Sequence, residues 1–167
     1  MLRNSAGRID KIFEKHADTV YRVALSHTNQ QADAEDVFQE VFVKLFATNT
    51  IFKSDEHIKA WLIRVTINKC RDLHKSAWNR MTVELTPELA YTPDEPIDID
   101  DALARLPLNY RSVIHLFYFE ELPIAQIAET LQTNENTVKT WLSRARKLLK
   151  SYLIATQPTL ERSQDYV

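Results

Sequence analysis

Apolar side chains recur at three- and four-residue steps along most of this 167-residue chain, and that period predicts helices. Ile9, Ile12, Phe13, His16, Val20, Val23 and Ala24 share one side of a helix expected over residues 8–28. A break at Asn29-Gln30-Gln31 leads to a second helix from Asp33 to about Ala47. At about 100° per residue, Val37, Phe38, Val41, Phe42, Leu45 and Phe46 form one broad core face, and Asp33, Asp36, Gln39, Glu40, Val43 and Ala47 form the opposite one. A third helix, from about Asp55 to Asn79, turns Ile58, Trp61, Leu62, Val65 and Leu73 toward a core. Its far side aligns Arg64, Asn68, Arg71 and Lys75 at the i, i+4, i+7, i+11 spacing, within about 60° of arc.

The second half repeats the period in shorter pieces. Residues 100–106 form a short helix ended by Pro107, which suits the first turn of the next helix, PLNYRSVIHLFYFEE. Leu122-Pro123 restarts the chain into a helix from Ile124 to Leu131, and Asn134 caps the last one, from Glu135 to about Leu153. That helix buries Val138, Trp141, Leu142, Ala145, Leu148 and Leu149 and turns Lys139, Thr140, Ser143, Arg144, Arg146, Lys147 and Lys150 outward, with no acid between residues 136 and 150. A short helix, a tight turn and a longer basic helix read as a helix-turn-helix, whose second helix enters a DNA major groove.

Composition sharpens the class. The single glycine, Gly7, stands where a chain of this length averages roughly a dozen, so glycine-cradled phosphate loops and two-residue hairpins are excluded beyond it. The fold class is all-α. The lone Cys70 excludes an internal disulfide and multi-cysteine zinc sites. No leader-like apolar segment opens the chain, so a cytoplasmic protein without membrane insertion is expected. The net charge of −2 hides a pattern: residues 1–80 hold 13 Lys/Arg against 10 Asp/Glu, residues 104–155 hold 7 against 4, and residues 81–103 hold 7 acids and no base. With Pro87, Pro93 and Pro96, the acidic stretch reads either as an extended tether or as a loop packed on one domain. The expected organisation is a helical domain at 1–81, a linker at 82–99, a helix-turn-helix domain at 100–155 and a tail at 156–167.

The acidic face of the second helix reads as solvated surface or as a docking face for a basic partner helix; Val43, set among acceptors, favours docking. A metal reading is poor, because no histidine follows a glutamate at di-iron spacing. The stripe on the third helix reads as solvated cations or as a surface that holds phosphates and reads a base. The five histidines, His16, His27, His57, His74 and His115, form no catalytic grouping, so no enzyme, cofactor or small-molecule substrate is expected.

DAEDVFQEVF at 33–42, AWLIRVTINKCRDLHK at 60–75 and the run from Leu106 to Leu149 together resemble the extracytoplasmic-function (ECF) sigma factors of bacterial RNA polymerase. The resemblance implies two helical domains on a flexible linker. It places Asp36, Gln39, Glu40 and Val43 on the clamp of the polymerase's largest catalytic subunit, and the second domain on the flap of the other large subunit. It places Arg64, Asn68, Arg71 and Lys75, with Lys53 in the loop before them, on the −10 promoter element. Lys139, Thr140, Ser143 and Arg144 fall where the family reads the −35 element, with Asn136, Thr137, Arg146 and Lys147 on phosphates. An anti-sigma factor is an implied partner. The chain departs from the family at Glu121 and Gln132, where small residues or glycine are common, and at Trp141, where an arginine is common. The alternative is a helix-turn-helix regulator that binds duplex DNA without core polymerase.

Overall fold

The computed structural model describes residues 6–80 and 98–155, all of whose regular structure is helical. Helices α1 (Ala6–Thr28), α2 (Gln31–Ala47) and α3 (Asp55–Arg80) come first. They are followed by α4 (Ile99–Arg105), α5 (Leu108–Ile114), α6 (Ile124–Leu131) and α7 (Glu135–Ala155). The connector expected at 82–99 lies outside the described residues except for Asp98 and Ile99. These open α4, with the Asp98 side chain accepting from the Ile99 N–H. The tail at 156–167 also lies outside them.

One predicted helix is interrupted. The expected continuous helix after Pro107 is α5 followed by a π-helical turn at His115–Phe119. The Glu120 N–H reaches the His115 carbonyl at 3.1 Å and the Leu122 N–H reaches the Leu116 carbonyl at 3.0 Å, so the helix end is wider than an α-turn. The change of register keeps Leu116 in the core, leaves Tyr118 and Phe119 half-exposed and turns Glu120 inward.

Among the described residues, three other than glycine adopt a left-handed backbone: Asn29, Glu121 and Gln132. Gln132 ends α6 in a Schellman arrangement, its own N–H bonding to Glu129 and the Thr133 N–H to Ala128. Asn29 ends α1 with a single bond to the Leu25 carbonyl, and asparagine tolerates that conformation better than most residues.

Two apolar clusters form the interior among the described residues. The first joins α1, α2 and α3 through Val20, Val37, Val41, Leu45, Leu62 and Val65, capped by edge-to-face contacts of Phe13 with Phe38 and Phe42. Phe46, expected in this core, is 58% exposed. It lies at the edge of the apolar arc in the last turn of α2, beyond the seam with the other helices.

The second cluster gathers Leu106, Val113, Leu116, Ile127, Val138 and Leu142, and takes in Val23 from α1 with Ile63 and Ile67 from α3. Trp141, Leu148 and Leu149 pack at its margin, half-buried instead of enclosed. The two halves of the chain therefore share an apolar core. Val23, Ile63 and Ile67, at most 1% exposed, contribute about 1.5–3 kcal/mol each to holding the halves together and completing their helices.

Candidate nucleic-acid interface

On α2, the residues that do not fit the core line one groove: Asp36, Gln39, Glu40 and Val43 form its wall, and Lys69 and Leu73 of α3 its floor. Val43 is 66% exposed, an aliphatic side chain held in water between acceptors. Glu40 reaches Lys69 at 3.2 Å, which ties the acidic face to α3 and fixes its orientation. The four predicted residues form one continuous surface, apolar at its centre and acidic at its rim. A basic partner helix with an apolar anchor fits that chemistry.

α3 is held at its N-terminus by two devices. The Ser54 hydroxyl oxygen accepts from the His57 N–H at 3.1 Å, and the Asp55 carboxylate takes Lys15 at 2.7 Å and His16 at 3.0 Å from α1. The Lys15 contact, with His16 adding to it, holds the Asp55 carboxyl below the usual carboxylate range against the smaller opposing effect of burial. Before the helix, Phe52 is buried edge-on against Trp61, and Ile51 and Lys53 face solvent. A loop with a buried aromatic anchor and an exposed neighbouring tip sits beside the helix that carries the cationic stripe.

Along that stripe exposure rises toward the C-terminus: Arg64, Asn68 and Arg71 are half-buried and Lys75 is exposed. Arg64 is engaged by the other half of the chain. Its terminal nitrogen lies 3.7 Å from Glu129 of α6, and its Nε is buried without a hydrogen-bond partner among the described residues. Sequence periodicity missed Ile63 and Ile67, which flank the stripe and are buried against the second half. Their i, i+4 spacing was the available signal.

α7 starts as expected, with the Asn134 carboxamide oxygen accepting from the Thr137 N–H at 2.8 Å. Asn136, Lys139, Thr140, Ser143, Arg144 and Lys147 are exposed, and Thr137 is half-buried at the start of the same face. Lys139, Arg144 and Lys147 form no ion pair among the described residues, so their charges stand open to a polyanion. Arg146 departs from this set. Its Nε donates to the Tyr118 hydroxyl at 2.7 Å, and its guanidinium lies 5.7 Å from the centre of the Tyr118 ring and 5.9 Å from that of Phe117. It lines a second groove with Ile99, Leu103, Phe119, Leu153 and Ile154, an apolar trough between α4, the π-turn and the end of α7.

A polar seam runs through the shared core. His27 of α1 has its Nδ1–H on the Val23 carbonyl at 2.8 Å, which leaves Nε2 to accept from the Ser112 hydroxyl of α5 at 2.6 Å. Burial lowers the His27 pKa to about 3, with smaller contributions from His115, Arg111 and Arg71, so the ring is neutral. Glu120, its side chain 1% exposed, meets His115 Nε2 and Arg22 Nε at 3.3 Å each and Lys59 Nζ at 3.9 Å. Burial pushes its carboxyl up, and the contacts with His115 and Arg22 together outweigh burial, leaving it below the ordinary range. Arg111, lowered by burial, donates to the Ala104 carbonyl at 2.9 Å. Cys70 is enclosed in the first core, where burial pushes its thiol up to about 12.

Comparison with known proteins gives the family and agrees with the helical fold. The chain matches the Sigma-70 region 2 family over residues 12–80 and the Sigma-70, region 4 family over residues 97–149. It is 34% identical over 143 residues to RNA polymerase sigma factor SigV of Bacillus subtilis, covering 83% of this chain and 86% of that one. It is 36% identical to the ECF RNA polymerase sigma factor SigL of Mycobacterium tuberculosis, covering 83% and 85%. Its fold matches the sigma factor RpoE solved with the anti-sigma factor NepR from Bartonella quintana, at a TM-score of 0.73 and 20% identity, over 89% of this chain and 98% of that one. It also matches CnrH, solved with the cytosolic domain of CnrY, at 0.69 and 23%, over 92% of each chain. With two family regions in chain order and helical faces suited to each, the chain belongs to the ECF group of RNA polymerase sigma factors.

Proposed function

We propose that this chain directs core RNA polymerase to promoters by four separate surfaces. The α2 groove of Asp36, Gln39, Glu40 and Val43 docks on the clamp of the largest catalytic subunit. Lys53, Arg64, Asn68, Arg71 and Lys75 hold the −10 element. Thr140, Ser143, Arg144 and Lys139 read the −35 element in the major groove, with Asn136, Thr137 and Lys147 on phosphates. The apolar trough at Ile99, Tyr118, Phe119 and Ile154 takes the flap of the other large subunit, and Arg146, held against Tyr118, serves that groove in place of a phosphate.

The chain does no covalent chemistry in this reading. Binding energy is directed into strand opening: extruding a base costs a few kcal/mol, offset by contacts that exist only with the open strand. Core polymerase holds two weak readers at a fixed separation, and bivalency makes their combined grip adequate. No helix among the described residues is long and apolar enough to cross a membrane, and the site of action proposed is the cytoplasm, where polymerase works. The relatives solved with NepR and CnrY support an anti-sigma factor as a further partner.

Val43 carries the reading, because a regulator that binds duplex DNA alone has no need of an exposed aliphatic residue inside an acidic groove. Run-off transcription from a promoter library with purified core polymerase tests it. Transcripts that depend on this chain are expected, and specific duplex binding without core enzyme, with no such transcripts, would replace the reading by the regulator.

A further inference from the structure

We propose that His57 is a positioning residue for the −10 contact: its ring nitrogen fixes the backbone of the loop before α3, so that Ile51 and Lys53 are held at a set place for base discrimination. The proposal rests on α3 being the −10 reader. The Lys53 N–H donates to His57 Nδ1 at 3.2 Å, and the His57 N–H donates to the Ser54 hydroxyl oxygen at 3.1 Å. This is a capping box displaced by one residue. In the ordinary form the side chain at the third helical position returns to the N–H of the cap itself, whereas His57 passes its cap, Ser54, and takes the N–H of the residue before it. The same ring meets the buried Phe52 edge-on at 5.5 Å. At the other end of the loop Thr48 Oγ1 accepts from the Thr50 N–H at 3.3 Å and lies 2.8 Å from the Thr50 hydroxyl. Between these two ties Ile51 is 76% exposed.

The start of α3 has other supports. The Ser54 hydroxyl caps it, Asp55 ties it to Lys15 and His16 of α1, and Phe52 is anchored on Trp61 as well. What the Nδ1 acceptor adds is control of the backbone on the loop side of the cap, where the outward-facing side chains are Ile51 and Lys53. A loop free to move would lose its conformational entropy when a strand binds, and would do so for every sequence alike. A loop ordered beforehand meets a base at a fixed distance. A wrong base then leaves the aliphatic side chain or the cation without its contact, and the difference is read as specificity. The bond needs a lone pair at Nδ1. Asparagine offers an oxygen acceptor as many bonds from the backbone as that nitrogen, and phenylalanine offers a ring with no acceptor.

The experiment uses the full chain with core polymerase. Templates carry a −35 segment selected by the unmodified holoenzyme, a randomised −10 segment and a transcribed barcode, so that sequencing run-off transcripts gives the enrichment of each base at each −10 position. His57→Phe keeps a ring against Phe52 and removes the acceptor. It is expected to lower enrichment about three- to tenfold at the position where Ile51→Ala or Lys53→Ala also lowers it, and to leave the other positions unchanged. His57→Asn is expected to restore much of the lost enrichment. A merely structural role gives fewer transcripts at every sequence with an unchanged ranking of bases, and that outcome in His57→Phe overturns the proposal. An asparagine variant no better than the phenylalanine one also overturns it, because the acceptor is then not what sets the loop. Loss of enrichment in Ile51→Ala or Lys53→Ala with none in His57→Phe makes the loop a reader that His57 does not position. An absence of base selection at −10 by the unmodified holoenzyme would instead overturn the assignment of α3.

Discussion

Gln132 occupies φ 55° and ψ 47°, a conformation in which the Cβ of an L-residue crowds the following carbonyl at a cost of about 1–2 kcal/mol. The turn it makes is the one that sets α6 against α7, so the strain falls at the joint of the helix-turn-helix. Gln132→Gly relieves it, less the greater freedom glycine gives the unfolded chain. We expect unfolding free energy to rise by about 0.5–1 kcal/mol, seen as a higher urea midpoint at unchanged slope. The same exchange at Asn29 should gain less, because asparagine already tolerates the conformation. Arg144 belongs to the same scale. It is exposed on α7 and unpaired among the described residues, so Arg144→Ala should cost about 1–3 kcal/mol at one −35 position if the guanidinium is bidentate to a guanine. Affinities across single-base −35 variants check this: a uniform loss at every sequence would make it a phosphate contact.

Helical elements were legible where one face alone was buried. α2 shows this, since a single apolar arc and an acidic reverse side sufficed to predict which face is buried and which exposed, and only Phe46 at the edge of the arc was misplaced. Val43→Glu should therefore abolish stable association with core polymerase in a pull-down while shifting the thermal midpoint little, as its side chain is already in water. α3 was half legible. Its basic stripe and one core face follow from spacing, but Ile63 and Ile67 make a second buried face against helices beyond the connector, and a local period carries no information about so distant a partner. The π-turn was equally hidden, because HLFYF has an ordinary helical composition and the register change is set by Leu116 and Glu120 both facing inward. Within α3, Asn68→Ala should lower open-complex formation, read by permanganate reactivity of unpaired thymines, more than binding to closed duplex. An equal loss in both would move Asn68 from the base readers to the duplex contacts.

At the scale of the molecule, burying one neutral histidine between the halves makes stability depend on pH. His27 has an ordinary pKa near 6.5 in the unfolded chain and about 3 in the folded one. Between these values the unfolded state binds a proton that the folded state refuses, so the stabilisation is complete above pH 6.5 and is lost as pH falls toward 3. The groups facing it reinforce the sign: Arg71 on α3 and Arg111 and His115 in the second half all disfavour a second positive charge there, and His74 holds its backbone carbonyl at 2.6 Å. Glu120, held below the ordinary carboxylate range, loses its contribution in the same direction at lower pH. We expect unfolding free energy to fall by up to about 1.4 kcal/mol per pH unit below 6.5 from His27 alone. Because the ring lies on the seam, separating the halves restores its normal titration, and expansion in scattering should precede loss of helix as the solution is acidified. His27→Gln should flatten the slope between pH 6.5 and 5 and leave the decline below it, where the carboxylates titrate. A slope unchanged between pH 6.5 and 5 in that variant would overturn the assignment to His27, because Glu120, held below the ordinary carboxylate range, titrates only at lower pH.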